Sequence, residues 1–350
     1  MARRRVLVID DSVVSRRFVA DVLTAEQGFE VFVAPNGRLG LDKLGHELAD
    51  LVILDVEMPE LDGIETLRRI RQRYPTMPVI MFSALTERAG ALTLEALAHG
   101  ASDYITKPSS VSSPYGRPRD AREIGAELLA KVSALLEVPR VHPTTVRRAT
   151  PRAITRPPVE VLAIGASTGG PMAVTQILAE LPAGFAVPIV VVQHMPAMFT
   201  ALFAQRLAEQ TALVCREAVA GAVLAPGEVW VAAGGSHLVV VRDRSHVRLV
   251  IDDGPPENSC KPAVDVLFRS VAATFGAATL GVVLTGMGFD GLRGAEAITG
   301  AGGEVLVQDQ ASSVVGSMPG AIADAGLASA VVPLSQLAGE LVRRVQRRPR

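Results

Sequence analysis

Short apolar segments alternate with amphipathic segments along the first third of the chain. Runs of β-branched and other apolar residues at 6–9, 30–33, 51–54, 79–82 and 102–106 predict five strands. Between the strands, apolar side chains recur at helical spacing, for example Val14, Phe18 and Val22, and then Ile64 and Leu67. Strands that alternate with helices predict an α/β domain with a parallel sheet, closed by a last helix over residues 121–136.

A second alternating pattern begins at residue 159. Residues 161–165, 187–193 and 280–284 are almost entirely apolar, which is typical of strands covered on both faces. Residues 229–251 differ, because apolar and polar residues alternate there between turn residues. We therefore predict a second, doubly wound α/β domain over residues 159–346, with antiparallel strands at one edge.

Residues 138–158 separate the two patterns. They contain five prolines and five arginines but only apolar or neutral polar residues besides, apart from one histidine. This composition predicts an extended, self-repelling linker between a first domain at residues 1–137 and the second. A basic arm for nucleic acid is the alternative, and it is disfavoured because no aromatic residue lies between the arginines.

Length, charge and cysteine content narrow the class of protein. A chain of 350 residues suits two domains, and a formal net charge of −1 argues against a wholesale nucleic-acid binder. The two cysteines, Cys215 and Cys260, lie in no metal-binding motif, so we expect reduced thiols and a cytoplasmic location. The apolar run after the basic first residues is too short for a signal peptide, and glycine or proline interrupts every longer one, so we expect no membrane insertion.

Charged and polar residues follow the strands of the first domain. Asp10 and Asp11 follow the first strand, Asp55 ends the third, Ser83 ends the fourth and Lys107 follows the fifth. The carboxyl ends of parallel strands meet at one rim, where three carboxylates require a cation, and oxygen ligands suit Mg²⁺. Asp55, central and on its own strand, is the predicted nucleophile that forms an acyl phosphate, while Lys107 and Ser83 contact the phosphate. A lone pair of aspartates would be a helix cap or a solvated pair, so the prediction depends on the whole set.

The ordered motifs Val-Ile-Asp-Asp-Ser, Leu-Asp-Val-Glu-Met-Pro-Glu-Leu-Asp-Gly, Phe-Ser-Ala and Ile-Thr-Lys-Pro resemble the receiver domains of bacterial two-component response regulators. The resemblance implies a flavodoxin-like fold with a five-stranded parallel sheet, and phosphorylation of Asp55 by a histidine kinase. It implies these ligands for Mg²⁺: Asp10, Asp11, Asp55 and the backbone carbonyl of Glu57. Ser83 and Tyr104 resemble the pair that rearranges on phosphorylation, although a half-buried strand tyrosine would look the same.

A glycine-rich turn follows the first strand of the second domain. The segment Gly-Ala-Ser167-Thr-Gly-Gly has the G-x-S-x-G form of a nucleophile elbow, and it precedes a helical pattern. Backbone N–H groups at such a helix N-terminus can stabilise a developing oxyanion. A nucleotide-binding loop is the alternative, but the glycines are not spaced G-x-G-x-x-G and no G-K-[ST] follows.

A serine nucleophile requires a base and a carboxylate. Among the six histidines, His194 stands directly after a buried strand, where Met195 and Pro196 turn the chain away. Asp290 lies beyond a glycine-rich loop at the start of a helix, where an isolated aspartate would be an ordinary N-cap. Three strand ends that deliver Ser167, His194 and Asp290 to one crevice predict a catalytic triad. The chain order Ser, His, Asp differs from that of the α/β-hydrolases.

The second domain resembles the catalytic domain of the chemotaxis protein-glutamate methylesterases. The motifs are Ile-Gly-Ala-Ser-Thr-Gly-Gly-Pro, Val-Gln-His-Met-Pro, Asp-Asp-Gly-Pro-Pro, Pro-Ala-Val-Asp-Val-Leu-Phe and Leu-Thr-Gly-Met-Gly-Phe-Asp-Gly. The resemblance implies a Rossmann-like hydrolase that cleaves glutamyl methyl esters and deamidates glutamines on the cytoplasmic helices of chemoreceptors, without a cofactor. It also implies that Thr168, Gly169 and Met287 line the site and its oxyanion hole.

Two other functions are compatible with these residues. One is a binding protein in which a receiver is coupled to an inactive hydrolase fold, and the other is an esterase for a substrate that is not a receptor. For the enzyme, we expect the unphosphorylated receiver to cover the active crevice and phosphorylation to release it.

Overall fold

The computed structural model describes residues 3–46, 48–108, 120–137 and 157–346. The chain folds into two compact units, Met1–Val138 and Pro139–Arg350. Each unit has its own hydrophobic core. The predicted linker lies outside the described residues, apart from residues 157 and 158.

Strands and helices alternate throughout the described part of the first unit. The strands are β1 (Arg4–Ile9), β2 (Phe29–Ala34), β3 (Leu51–Asp55), β4 (Val79–Ser83) and β5 (Asp103–Thr106). The helices are α1 (Val13–Thr24), α2 (Gly37–His46), α3 (Gly63–Arg73), α4 (Glu87–Ala98) and α5 (Ala121–Leu136). Every strand predicted from the apolar runs is present, and its ends differ from the prediction by no more than a residue or two.

The five strands form one parallel sheet in the order β2-β1-β3-β4-β5. This is the flavodoxin-like order, and the predicted fold of the first domain is confirmed. Apolar strand residues such as Val8, Ile53 and Phe82 pack with Val19 of α1 and Leu128 of α5. The order places the carboxyl ends of β1 and β3 side by side at the middle of one rim.

The second unit contains more strands and a larger sheet. Its strands are β6 (Val161–Ala166), β7 (Ile189–Gln193), β8 (Val214–Glu217), β9 (Glu228–Val231), β10 (His237–Asp243), β11 (His246–Asp252), β12 (Thr279–Val283), β13 (Glu304–Gln308) and β14 (Ala330–Val332). Its helices are α6 (Gly170–Glu180), α7 (Ala197–Gln210), α8 (Val264–Phe275), α9 (Leu292–Gly300), α10 (Ser317–Asp324) and α11 (Leu334–Val345).

Seven of these strands form a parallel sheet in the order β14-β13-β12-β6-β7-β9-β8. The three central strands β12, β6 and β7 are fully buried, as their apolar sequences predicted. The mixed α/β class of this domain is confirmed. Ligand sites in sheets of this type lie outside the carboxyl ends of the strands, so we expect the functional site at the carboxyl ends of β12, β6 and β7.

The antiparallel strands lie elsewhere than the sequence predicted. We expected residues 229–251 to form an antiparallel edge of the large sheet, but β9 joins that sheet in parallel and β10 pairs with β11 in a separate two-stranded sheet. β10 bonds instead to α8: Ser270 Oγ accepts from the Val240 N–H, and Thr274 Oγ1 donates to the Val240 carbonyl. These side chains satisfy the backbone groups that a further strand would otherwise pair.

Helices begin differently in the two units. In the first, side chains cap the starts of α1, α3, α4 and α5, as when Asp62 Oδ1 accepts from the Glu65 N–H at 2.8 Å. In the second, α6 and α9 begin at glycines in the left-handed region, Gly169 and Gly291, with no side-chain cap. At the start of α9, the N–H groups of Gly291 and Gly294 donate to carboxylates of Asp265 and Asp290, whereas the Gly169 N–H at the start of α6 has no partner among the described residues and remains available for another function. Among the described residues, no helix is both long and apolar enough to cross a membrane.

Candidate active site

The ends of three neighbouring strands bring Ser167, His194 and the loop of Asp290 together. Ser167 follows β6, which lies between β12 and β7 in the sheet. His194 follows β7, and its backbone N–H donates to the carbonyl of Ala166, directly before the serine. Asp290 follows β12 after a six-residue loop. The strand order of the sheet therefore places Ser167, His194 and Asp290, which are far apart in the sequence, at the same edge.

The turn that presents Ser167 depends on glycines. Gly169 has φ +76, and a Cβ at this position would lie 2.6 Å from Val314 atoms. Gly286, in the loop after β12, approaches so closely that a Cβ there would lie 2.9 Å from the Cβ of Ser167. A side chain at Gly286 would displace Ser167, and one at Gly169 would clash with Val314 in a left-handed backbone conformation, so the glycines of the site have a steric basis.

The side chains of His194 and Asp290 are in direct contact. Nε2 of His194 lies 2.8 Å from Oδ2 of Asp290, and the aspartate side chain is 2% exposed. In the described part of the chain, the two carboxylate oxygens accept five hydrogen bonds, from Nε2 of His194, Nδ2 of Asn258 and the backbone N–H groups of Val264, Asp265 and Gly291. A carboxylate with this many donors is held as an anion in a fixed orientation.

The electrostatics of the pair stabilise both charged forms. Burial raises the pKa of Asp290, but the hydrogen bond and charge of His194 and the backbone donors outweigh burial and lower the pKa below its usual value. Burial lowers the pKa of His194, but the contacts and charges of Asp290 and Cys260 outweigh it and raise the pKa to about 9. Asp290 is therefore the acceptor, and Nε2 of His194 carries a proton.

This proton leaves Nδ1 as the basic nitrogen of a neutral His194 ring. The polar neighbour of Nδ1 is the thiol of Cys260, with Sγ at 3.5 Å. Among the described residues, the Ser167 hydroxyl makes no hydrogen bond to His194 or to another side chain. The structure thus brings the side chains of His194 and Asp290 into contact, and it joins the His194 backbone N–H to the carbonyl of Ala166, directly before Ser167.

Residues at the start of α6 and in the loop after β12 surround Ser167. The Gly169 N–H, at the N-cap of α6, has no partner among the described residues. Thr168 is buried, and its carbonyl accepts a hydrogen bond of 2.9 Å from the Thr285 hydroxyl. Met287 is half-buried in the loop after β12. The lining of the site by Thr168, Gly169 and Met287 stays a prediction.

Sequence reasoning missed three residues of this site. Asp265 is fully buried on α8, where its Oδ1 accepts from the N–H groups of Gly291 and Gly294 at the start of α9. Asn258 bridges the carboxylates of Asp265 and Asp290, and Cys260 faces His194. Only Asp265 left a signal, as a charged residue inside an otherwise apolar helical segment. The aspartate before α9 is likewise more than the simple N-cap it resembles, because Gly291 occupies that position.

The acidic residues of the first unit also converge. Ligand oxygens of Asp10, Asp11 and Asp55 lie within 4.8 Å of one another, with Asp11 exposed and the other two buried. Nζ of Lys107 lies 2.8 Å from Oδ2 of Asp10 and 2.8 Å from Oδ2 of Asp55. The pKa of Asp55 is raised to about 6. Burial is the main cause and the charge of Asp10 adds to it, while Lys107 and the backbone of Glu57 act in the opposite direction. The cluster thus contains three carboxylates, and the positive charge of Lys107 can neutralise only one of them.

The predicted switch residues lie near this cluster but bond elsewhere. Ser83 is buried, and its hydroxyl accepts from Thr93 Oγ1 at 2.8 Å and lies 3.3 Å from the Ala89 carbonyl. The ring of Tyr104 is buried, with Nζ of Lys131 5.2 Å from its centroid. The side chain of Glu57 pairs with Arg88 at 3.3 Å, while the backbone of Glu57 forms a hydrogen bond with the carboxylate of Asp55.

Comparisons with known families agree with both units. A family model described as CheB methylesterase matches residues 162–341, and one described as response regulator receiver domain matches residues 6–113. A solved structure, the CheB methylesterase catalytic domain of Thermotoga maritima, aligns with a TM-score of 0.52 and 37% identity. It covers 53% of this chain and 98% of that structure.

Full-length relatives share both units. The chain is 49% identical to the protein-glutamate methylesterase/protein-glutamine glutaminase of Trichodesmium erythraeum, over 99% of this chain and all of the relative. It is 47% identical to the protein of the same name from a Nocardioides species, over 98% of this chain and 96% of the relative. The similarity therefore extends across the receiver-like unit, the hydrolase-like unit and the segment between them.

Proposed function

The chain belongs to the CheB methylesterase family, and from this premise we propose how its residues carry out and control the family's reaction. Its activity is hydrolysis of glutamate methyl esters and deamidation of glutamines in proteins, under the control of a phosphorylated receiver. We assign residues 1–137 to the receiver, 138–158 to the linker and 159–346 to the hydrolase. The hydrogen bond between His194 and Asp290 beside Ser167 is the observation that carries the proposed mechanism.

In the first half of the reaction, the Ser167 hydroxyl attacks the ester carbonyl. Nδ1 of His194 takes the hydroxyl proton, while Asp290 holds Nε2–H and stabilises the imidazolium that forms. The tetrahedral intermediate places its oxyanion near the start of α6, where the N–H of Gly169 is available and the helix N-terminus favours negative charge. The intermediate then expels the methoxy group, which takes the proton from His194 and leaves as methanol.

In the second half, water hydrolyses the glutamyl ester of Ser167. His194 Nδ1 accepts a proton from the water as it attacks, and returns it to the serine oxygen as the acyl bond breaks. The product is a glutamate carboxylate. With glutamine, the same steps release ammonia in place of methanol. No cofactor enters these steps, because Ser167, His194 and the N–H donors supply each proton transfer and charge contact.

The cluster of the first unit fits a bound Mg²⁺. Its donors are carboxylate oxygens, the ligand type that Mg²⁺ prefers. Lys107 does not neutralise all three carboxylates, and the remaining negative charge favours binding of a further cation. We propose Asp10, Asp11, Asp55 and the Glu57 carbonyl as its ligands, and a bound ion would offset charge on an incoming phosphoryl group. Asp55 accepts that group as an acyl phosphate, and Lys107 turns from Asp55 towards the phosphate.

We propose a histidine kinase as the phosphodonor and the cytoplasmic helices of chemoreceptors as the substrate, because the relatives combine a receiver with this activity. A cytoplasmic location follows from those partners. In the unphosphorylated chain the receiver restricts access to Ser167, and phosphorylation, through Ser83 and Tyr104, lifts that restriction.

The test is methanol release from methylated receptor fragments by the full chain and by Ser167→Ala. The variant should lose at least about 10³-fold in rate, since triad members act as a unit, while Asp55 still accepts phosphate. Ser317→Ala is the matched control, because that serine contacts the loop after β12 through Gly286 and Gly288 without lying in the triad. A folded Ser167→Ala protein that retained a substantial part of the rate would refute the assignment.

A further inference from the structure

Two side chains of different sequence regions face each other at the basic nitrogen of the active site. Sγ of Cys260 lies 3.5 Å from Nδ1 of His194. Two ligands of one tetrahedral zinc ion, with a sulfur at about 2.3 Å and a nitrogen at about 2.0 Å from the metal, lie about 3.5 Å apart. The thiol and the imidazole are therefore already spaced as neighbouring ligands of such an ion.

The other nitrogen of His194 has the contact that metal-binding imidazoles commonly have. Nε2 donates to Asp290, which fixes the ring and directs the Nδ1 lone pair at the sulfur of Cys260. Ligand atoms of His194, Cys260 and Asp290 lie within 4.8 Å of one another. Because the oxygens of Asp290 already accept five hydrogen bonds, this residue orients the ring and the other two bind.

The segment that carries Cys260 is held in place from both sides. The Glu257 N–H donates to the Cys260 carbonyl at 3.1 Å, and the Cys260 N–H donates to the Glu257 carbonyl at 2.8 Å. The amide of Asn258, two residues earlier, is fixed on the carboxylates of Asp265 and Asp290. Cys260 is partly exposed, so an ion from solvent can reach this residue without opening the core.

We propose that His194 and Cys260 form an inhibitory site for a thiophilic divalent cation, with Zn²⁺ as the ion that fits best. The ion binds Nδ1 and the Cys260 sulfur, the thiol proton leaves to solvent, and water completes the tetrahedron. The ion occupies the nitrogen that takes the serine proton, so hydrolysis stops. That inhibitory consequence rests on the proposed role of His194 as the base, whereas the binding does not.

The chain would then hold two metal sites of opposite preference. The receiver cluster offers only oxygen ligands and suits Mg²⁺. The hydrolase pair offers nitrogen and sulfur, which Mg²⁺ binds poorly and Zn²⁺ binds well. Excess Mg²⁺ should therefore saturate the first site without protecting the second.

The experiment uses the full chain with Mg²⁺ in excess. Zn²⁺ binding is measured by equilibrium dialysis, and the hydrolysis of a small soluble ester is measured at each Zn²⁺ concentration relative to the same protein's metal-free rate. Cys260→Ser should weaken zinc binding and inhibition together, by about 10-fold or more. Cys215→Ser is the matched control, because Cys215 is the other cysteine and is buried beside Thr211, and it should leave both values as in the parent.

Co²⁺ provides a measurement that does not require the Cys260 variant to fold. A thiolate-to-cobalt charge-transfer band should appear in the parent and in Cys215→Ser. Absence of the band, or a zinc affinity unchanged in folded Cys260→Ser, would overturn the site. If zinc binds through Cys260 but hydrolysis continues unchanged, the inhibitory role is wrong. If the parent binds zinc through Cys260 but hydrolyses no ester, the proposed function fails while the metal site stands.

Discussion

Two buried aspartates at the ends of parallel strands have opposite electrostatic environments. Asp55 in the receiver and Asp290 in the hydrolase are 4% and 2% exposed, so burial alone does not distinguish them. Yet the pKa of Asp55 is raised to about 6, and that of Asp290 is lowered below its usual value. The difference lies in their neighbours: Asp55 shares one lysine with Asp10, whereas Asp290 faces a histidine and several N–H donors.

This comparison shows how one α/β design supports two kinds of chemistry. An undercompensated carboxylate remains reactive and attracts a cation or a phosphoryl group, as a phosphate acceptor must. A saturated carboxylate is fixed and inert, and it serves to hold an imidazole in one orientation. The backbone supplies the rim in both units, but the local donors decide what the carboxylate at that rim does.

The largest effect should come from removing the charge of the saturated carboxylate. In Asp290→Asn, the side chain keeps its size but no longer fixes the His194 tautomer or stabilises the imidazolium. Hydrolysis of a small soluble ester should fall about 10⁴-fold. Asp265→Asn is the control, since Asp265 is equally buried at the same helix start but does not contact His194. Equal losses in the two folded variants would show that packing, and not the contact with the imidazole, explains the effect.

The pH dependence of hydrolysis should reveal the same contact. A histidine accepts a proton only when its ring is neutral, and a pKa raised to about 9 keeps most His194 rings, the proposed base, protonated at pH 7. The value of kcat/KM should therefore rise with pH through about pH 9 and level off above it, with a gain of about 50-fold from pH 7 to pH 9. A profile on the small ester, measured in the presence of a metal chelator, tests this. A rise in kcat/KM with an apparent pKa at or below 6.5 would mean that Asp290 and Cys260 do not stabilise the imidazolium.

Phosphorylation of the undercompensated carboxylate should have an intermediate effect. A small phosphodonor with Mg²⁺ should raise hydrolysis by the full chain by about 5- to 150-fold, the range of common coupling energies. A fragment of residues 159–350 should already hydrolyse the ester faster than the unphosphorylated chain. Asp55→Asn is the control for the donor and should show no stimulation. A folded fragment no faster than the unphosphorylated chain would exclude inhibition by coverage of Ser167.

The smallest effect concerns stability. The ionised form of Asp55 is disfavoured in the folded receiver, so the folded state binds more protons than the unfolded state between about pH 4 and pH 6, and this contribution destabilises as pH rises through that window. Asp55→Asn should therefore raise the free energy of unfolding at pH 7 by about 1–2 kcal/mol without divalent cations. Urea unfolding with a chelator measures it. Added Mg²⁺ should narrow the difference, and a variant less stable than the parent would contradict the raised pKa.

Much of the fold followed from the apolar runs. The β-branched segments of the receiver and the apolar strands at residues 161–165 and 280–284 became buried strands close to their predicted limits, because a strand covered on both faces has few alternatives. The antiparallel edge was misplaced, since alternation along residues 237–252 reports a half-buried strand without saying what pairs with it. The hydrogen bonds from α8 that occupy that place are invisible in a local pattern.

The candidate site shows the same limit. Ser167, with its G-x-S-x-G motif, and His194 stood directly after buried strands, and Asp290 followed from the loop after a third strand, so the sequence suggested all three as candidates. Cys260 and Asn258 reach the site from a turn between β11 and α8, in which Asn258 and the residue after it have positive φ. Neither the hydrophobic periodicity nor the spacing of polar residues predicts such a turn, so the contacts of Asn258 and Cys260 with the site are seen only in the folded structure.

Covalent labelling tests the identity of the nucleophile most directly. The full chain is treated with a serine-directed fluorophosphonate in the presence of a metal chelator, and the modified peptide is identified by mass spectrometry. We expect one label per chain, on Ser167, formed far more slowly in Asp290→Asn and absent in Ser167→Ala. A label on Cys260 or on another serine, or a folded chain that takes no label at Ser167, would contradict the assignment.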